Sequence, residues 1–438
     1  MTLCAGVAQR EICPRQQMYL AGYPKFERIS TGVHDPLLAS ALYLSDGAVY
    51  LLFVAVDILM LSHETVQRCR VDIQKATGIP GENILISASH THSGPVTVDL
   101  LVFRPDKTVP PADLAYVDFV CEQIRDSAES AIQFAVPARG AFTHALVMGV
   151  GGNRHTLDGP HDPQVGIFYL EEAATHRPLA VSIVYSMHPT VLHEDSKLVS
   201  ADFPGYTRQF LAERLPGAQI LYHNGPCGNL SPRYHITAQT FAEAERLGNR
   251  LGECIYQAIH NLKPSAFSKE LTLAASQGWI ELPQRTFPSM TEAKVLFQQA
   301  RNDYEYLKAS GAPRPQLRTA EVNLFGAEEG VFLAEAQQRG EVLALQTRYT
   351  PTEVQVLRVG ETCFVGLPGE LFVEYGLEIK HRAPGRTFVI SLANGELQGY
   401  IVTPGVKGYE AAFSLFMPEA GRVLVEEALR LISHVQNL

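Results

Sequence analysis

The sequence predicts an α/β protein with mixed β-sheets flanked by helices and a metal site at strand ends. Three observations carry this. Ala48–Val56 is an almost unbroken apolar run, the mark of a central strand covered on both faces. It follows the hairpin signal Asp46-Gly47 and precedes a capped helical pattern and a second apolar strand, a hairpin–helix–strand order that argues for a mixed sheet. Ligand-type residues recur where apolar strands run into Gly/Pro turns: His90 and His92, then His188, then Glu370.

The totals fit this class. A chain of 438 residues with 46% hydrophobic and 19% charged residues buries a large core. A net charge of -10 without a basic run argues against a nucleic-acid partner. The seven cysteines (Cys4, Cys13, Cys69, Cys121, Cys227, Cys254 and Cys363) are scattered, with no CxxC pair. That pattern suggests neither a disulfide framework nor a thiolate zinc site. No apolar run approaches the roughly 20 residues of a membrane span. The first residues, MTLCAGVAQREICPR, lack the basic and apolar regions of a signal peptide. The expectation is a cytoplasmic protein; nothing in the sequence specifies an oligomeric state.

In chain order, residues 3–12 read as a short strand, and Gly22-Tyr23-Pro24 opens a polar loop. Gly32-Val33-His34 leads into the strand Leu38–Leu44, and the central strand ends in Asp57. Ser62 is the expected helix N-cap, Glu64 lies in the first turn, and Gly78 and Pro80 stop the helix. Ile84–Ile86 is the next strand. Leu114–Phe134 reads as a helix and Phe142–Met148 as a strand. Gly149–Pro163 is a polar loop carrying Gly151-Gly152-Asn153-Arg154. Strands follow at Val165–Tyr169 and Ala180–Tyr185, then a helix at Phe203–Leu215 and a strand at Ala218–Tyr222. In Thr240–Ile259, Phe241, Ala244, Leu247, Leu251 and Ile255 recur at helical spacing. Residues 266–340 read as a strand and two polar helical segments, a peripheral excursion and not a second domain. Val342–Val359, Thr362–Val365 and Phe388–Leu392 have strand character, and a helix near Val423–Leu431 closes the chain.

His90 and His92 stand at i and i+2, so on an extended chain both imidazoles point the same way. Imidazole is the commonest zinc ligand and the commonest general base near neutral pH. His188, before Pro189, suits either a third ligand or a turn hydrogen bond. Glu370, after Pro368-Gly369, suits either a ligand or an acid at a helix N-terminus. Separate strand ends that converge give a His-His-carboxylate zinc set with an open position. Ser231 sits in a glycine-rich turn without the G-x-S-x-G elbow of a serine hydrolase. Arg154 is either an oxyanion clamp or a solvated loop arginine.

Taken in order, HTHSGP, NR, HPT, NGPCGNLSP, PGE, GYxxTP and YEAA resemble the N-terminal catalytic domain of the neutral (alkaline, non-lysosomal) ceramidase family, from about Gly22 to about Ser414. The resemblance implies a zinc-dependent amidase that cleaves the N-acyl bond of ceramide. It implies His90, His188, Glu370 and Tyr400 as zinc ligands and His92 as the proton-transfer group. It makes Ser231 the family serine, and Arg154 and Tyr409 the groups that hold the carbonyl or its oxyanion. The chain departs from the family where HTHSGP continues Val96-Thr97 and where the Tyr400–Tyr409 stretch is shorter. It is expected to be a single catalytic domain, 1–438, without the family's C-terminal immunoglobulin-like domain and secretory leader. The partner implied is a small-molecule or lipid-like N-acyl substrate. Alternatives are a hydrolase of a small soluble amide, lactam or ester on the same site, or a binding protein on the same scaffold. A metal-dependent amidohydrolase barrel also carries an HxH, but its eight β-α repeats are absent here.

Overall fold

The computed structural model describes residues 2–438. Its largest sheet has eight strands: β1 (Cys4–Glu11), β2 (Leu38–Ser45), β3 (Tyr50–Val56), β4 (Ile84–Ala88), β5 (Val136–Leu146), β6 (Gln164–Glu172), β7 (Pro178–Tyr185) and β8 (Gln219–Asn224). Their spatial order is β8-β7-β6-β5-β1-β2-β3-β4. β3–β4 and β7–β8 are parallel and the remaining pairs antiparallel. Helices α1 (His63–Thr77) and α3 (Phe203–Arg214) make the two parallel crossovers. A second sheet, β9 (Leu273–Ile280), β10 (Thr352–Val359), β11 (Thr362–Gly366) and β12 (Thr387–Ile390), is also mixed, with β11–β12 parallel.

Alternation along the strands explains the layering. In β3, Leu51, Phe53 and Ala55 face the second sheet, meeting Leu357, Phe364 and Phe388. Leu52, Val54 and Val56 face the other way, against Val66 and Ile73 of α1 and Val120 and Ile124 of α2 (Leu114–Gln133). A strand buried on both faces must read as a continuous apolar run, as this one does. The outer face of the second sheet is covered by the C-terminal helix Glu419–Gln436, through Leu424 and Ala428.

Three stretches differ from the sequence reading. β5 starts at Val136, not Phe142, because Pro137 and Gly140 mask its first half. Gly140 is required there: a Cβ would lie 2.7 Å from the Phe168 ring. Glu341–Arg348 is a helix, so the strand expected from Val342 begins only at Thr352. Its strong helix formers bury Val342 and Gln346 at i and i+4. Val373–Arg382 is a helix absent from the sequence reading, interrupted in pattern by Gly376, which packs against Pro226. Elsewhere the expected elements are present, with Ser62 and Gly78 capping α1 as read.

The helices of the 266–340 segment, Met290–Ala309 and Arg314–Gln338, pack on each other, and the second packs on the short helix Tyr409–Phe413. Gly326 allows this approach, since a Cβ there would lie 3.0 Å from Tyr409 Cα. Among the described residues no helix is long and apolar enough to cross a membrane.

Candidate metal centre and cleft

The parallel strands aim their C-terminal ends at one place, the position where open α/β sheets put their ligands. His90 follows β4, His188 follows β7, and Glu370 follows β11. The histidine pair does not converge through strand alternation. β4 ends at Ala88, and His90 has a φ of 70°. A turn therefore brings the two rings to 4.9 Å at 90°. The juxtaposition expected from the sequence is present, by a different backbone route.

Three acceptor atoms meet. His90 Nε2 lies 3.2 Å from His188 Nε2, and Glu370 Oε2 lies 3.1 Å from His188 Nε2 and 3.3 Å from His90 Nε2. The tautomers follow from the far side of each ring. His90 Nδ1 is 2.8 Å from the Leu59 carbonyl, and His188 Nδ1 is 2.7 Å from the Cys227 carbonyl. A carbonyl only accepts, so each Nδ1 carries the proton and each neutral ring presents a bare Nε2 lone pair. Two lone pairs and a carboxylate oxygen at these distances repel unless a cation or a proton lies among them. Ring nitrogens anchored to carbonyls are also the usual outer support of metal-ligating histidines. The donor set therefore fits a zinc-like cation.

His92 Nε2 adds a fourth atom, 3.4 Å from His90 Nε2, and the three histidines each offer a ligand atom within 4.8 Å of the others. Its support differs, because Nδ1 is buried without a hydrogen-bond partner. The ring rests on Gly22, where a Cβ would lie 2.3 Å from His92 Nδ1 and φ is +97°. Burial, together with the His90 and His188 rings, holds His92 well below its ordinary pKa. Burial likewise lowers His188, to about 4. Burial pushes the Glu370 carboxyl up, but the two imidazoles overcome it and hold it well below the usual range.

Tyr400 pairs with Glu370 in parallel register, and both line a narrow cavity with His90 and His92. Burial and the Glu370 carboxylate push the Tyr400 phenol up; a cation in the site reverses that sense. Arg154 lies over the Tyr400 ring at 5.3 Å. Its guanidinium is bound to Glu410, with Nε at 2.7 Å and Nη2 at 2.6 Å from Oε1, and His155 Nε2 is 3.0 Å from the same oxygen. The Tyr409 ring meets the Tyr400 ring edge-on, with centroids 6.0 Å apart. Ser231 reaches the site through a two-residue antiparallel pair, Leu230–Ser231 with Gly152–Asn153. Its Oγ accepts from the Arg233 N–H at 3.2 Å.

Every residue expected at the site thus falls in one region. His92, Arg154, His188, Ser231, Tyr400 and Tyr409 line a cleft of about 970 Å³. From His92 and Gly22 an apolar branch leads past Leu59 and Met60 to a cavity of about 310 Å³ lined also by Val98, Leu100 and Phe103. Sequence reasoning missed two residues. Glu410 was visible only as the second residue of YEAA, and Gly22 only as a loop glycine.

A mixed α/β scaffold with histidines and a carboxylate gathered at strand ends is the class of protein that fold and site define. The family described as neutral/alkaline non-lysosomal ceramidase, N-terminal, matches residues 4–224, and the chain belongs to that family. Among solved structures, a ceramidase complexed with C2 superposes with a TM-score of 0.77 at 17% identity, covering 100% of this chain and 76% of that one. The neutral ceramidase from Pseudomonas aeruginosa gives a TM-score of 0.76 at 18% identity, covering 99% of this chain and 75% of that one. No curated protein matches the sequence.

Proposed function

We propose that this protein is a zinc-dependent hydrolase of a linear amide, cleaving the N-acyl bond of a lipid-like substrate in the manner of a ceramidase, with residues 1–438 forming one catalytic domain. The observation that carries the reading is the convergence of the bare His90 Nε2, His188 Nε2 and Glu370 Oε2 atoms within 3.3 Å, in a chain of the ceramidase family. The superposition of the whole chain on the two solved ceramidases supports the single domain. Seven free cysteines support a reducing, cytoplasmic location.

His90, His188, Glu370 and Tyr400 hold the metal in this reading. When bound there, zinc supplies a Lewis acid for the substrate carbonyl and a lowered pKa for water. His92 takes a proton from the attacking water and returns it to the leaving nitrogen, work worth on the order of 10²–10⁴-fold. Its Nδ1, free of any carbonyl partner, leaves the tautomer unfixed, as a proton shuttle needs. Arg154 and Tyr409 donate to the developing oxyanion. Ser231 positions the substrate; its Oγ faces the Arg233 amide. The apolar branch past Leu59 and Met60 takes the acyl chain, and the polar cleft takes the amine half.

The test is metal content by plasma mass spectrometry on protein purified without chelator, beside Glu370→Ala, together with hydrolysis of an N-lauroyl amine. About one zinc per wild-type chain, lost with activity in the variant, is expected. Wild-type protein that binds no metal, or that keeps its activity after Glu370→Ala, overturns the reading.

A further inference from the structure

The polar cleft carries a charge that the metal centre does not use. Three of its carboxylates are paired. Glu410 pairs with Arg154 and His155. Glu321 pairs with Arg318 at 2.6 Å, and Glu194 pairs with His193 and lies 3.7 Å from Arg318. Glu329 is 6% exposed, and burial pushes its carboxyl well above the ordinary value.

One guanidinium is left over. Arg233 lines the cleft and has no carboxylate partner among the described residues. Its Nη1 donates to the Arg154 carbonyl at 3.1 Å and reaches Thr319 Oγ1 at 3.5 Å, and the Tyr234 side chain also bonds the guanidinium, so the group is held by neutral partners alone. Burial works against its charge, and so do the nearby Arg154 and Arg318 guanidiniums. A half-buried arginine beside two other cations is an unfavourable arrangement that an anion relieves. Lys407, in the same cleft, also lacks a carboxylate partner. These two cations without carboxylate partners among the described residues stand in a protein whose net charge is -10.

Position says which part of a substrate meets it. Arg233 lies two residues beyond Ser231, and its amide binds the Ser231 Oγ. It is anchored on the backbone of Arg154, whose side chain lies over Tyr400. It is therefore close to the reacting centre on the polar side, away from the apolar branch. The planar guanidinium fork matches a carboxylate with two parallel hydrogen bonds.

We propose that Arg233 is a specificity-determining residue that binds a carboxylate on the amine half of the substrate, so that the preferred substrate is an N-acyl amino acid. The inference rests on the amidase reading above and sharpens its substrate class.

A matched pair of probes tests it: N-lauroylglycine against N-lauroylglycinamide, near-isosteric molecules of which only the first carries the carboxylate. The zinc-loaded wild type is expected to favour the acid by roughly tenfold or more in kcat/KM, a difference of about 1.4 kcal/mol. Arg233→Gln, which keeps a donor for the Arg154 carbonyl, is expected to bring the ratio close to one, and Arg233→Lys, which keeps the charge without the fork, to fall between the two. Equal rates on both probes in the wild type, or an unchanged ratio in Arg233→Gln, overturn the carboxylate assignment and leave the amidase reading standing. If neither probe is hydrolysed the amidase reading fails, and calorimetric binding of the same pair decides the assignment. Tighter binding of the acid, lost in Arg233→Gln, then supports it; equal binding overturns it.

Discussion

Glu370 and Tyr400 face each other across a parallel pair of two-residue strands, Glu370–Leu371 beside Tyr400–Ile401. Neighbours in register project to the same side of a ladder, so the carboxylate and the phenol enter the same narrow cavity. Tyr400→Phe removes only the hydroxyl from this pair. It is expected to leave zinc stoichiometry at one per chain and to weaken zinc at least about tenfold, roughly 1.4 kcal/mol. Competition with a chelating dye reads this directly. An unchanged affinity takes Tyr400 out of the ligand set.

The proposed role of His92 separates proton transfer from metal binding. His92→Ala is expected to retain zinc and to lose on the order of 10²–10⁴-fold in kcat, whereas His90→Ala loses both. Metal analysis beside steady-state kinetics distinguishes them. Loss of zinc in His92→Ala makes it a ligand in place of a proton carrier.

Gly22 is the support of that ring. Alanine there places a Cβ 2.3 Å from His92 Nδ1 on a backbone with φ of +97°, a conformation that also disfavours any L side chain. Gly22→Ala is expected to keep zinc and the overall circular dichroism. It is expected to lose about 10²-fold in kcat/KM, the scale of an ångström's misplacement of a catalytic group. Full activity in this variant contradicts the packing described.

The Arg154–Glu410 pair sets an acid limb of stability. Burial pushes the Glu410 carboxyl up, but Arg154 and His155 more than offset it and hold it at about 2. The unfolded value is 4.5, so the folded state binds fewer protons between these values. The contribution is present above pH 4.5 and is lost as pH falls towards 2, in total about 3 kcal/mol. Urea melts of the wild type and Glu410→Gln are expected to differ by that order at pH 7 and to converge near pH 2. A difference that persists at pH 2 places the effect outside this titration.

The legible parts of the sequence were those in which local pattern and tertiary role agree. The β3 run and the α1 caps state their own structure because burial on two faces and satisfaction of helix ends need particular residues. The metal centre was legible as residue types at strand ends, but not as geometry. His90 in a left-handed conformation (φ 70°) is uncommon for a residue with a side chain, and no periodicity announces it. Tyr400 carries no chemical signal by itself; the GYxxTP resemblance singles it out, and its register with Glu370 then sets it beside the carboxylate. Glu341–Arg348 was misread as a strand because a short apolar run fits either period. Glu410 could be found only through its partner Arg154, 256 residues away.

The convergence of strand ends also makes the centre a thermodynamic staple. His90 and His188 are 98 residues apart, and His188 and Glu370 are 182 apart. An ion held by all three closes two long loops, and closing them in the disordered chain carries an entropy that rises with the logarithm of their length. On the proposed metal reading, binding to the native chain alone would tie the β4 and β7 ends to the second sheet with a free energy set by the ambient concentration of the ion. The melting temperature would then be a gauge of metal supply, and starvation for the ion would loosen the scaffold as well as stop the proposed chemistry.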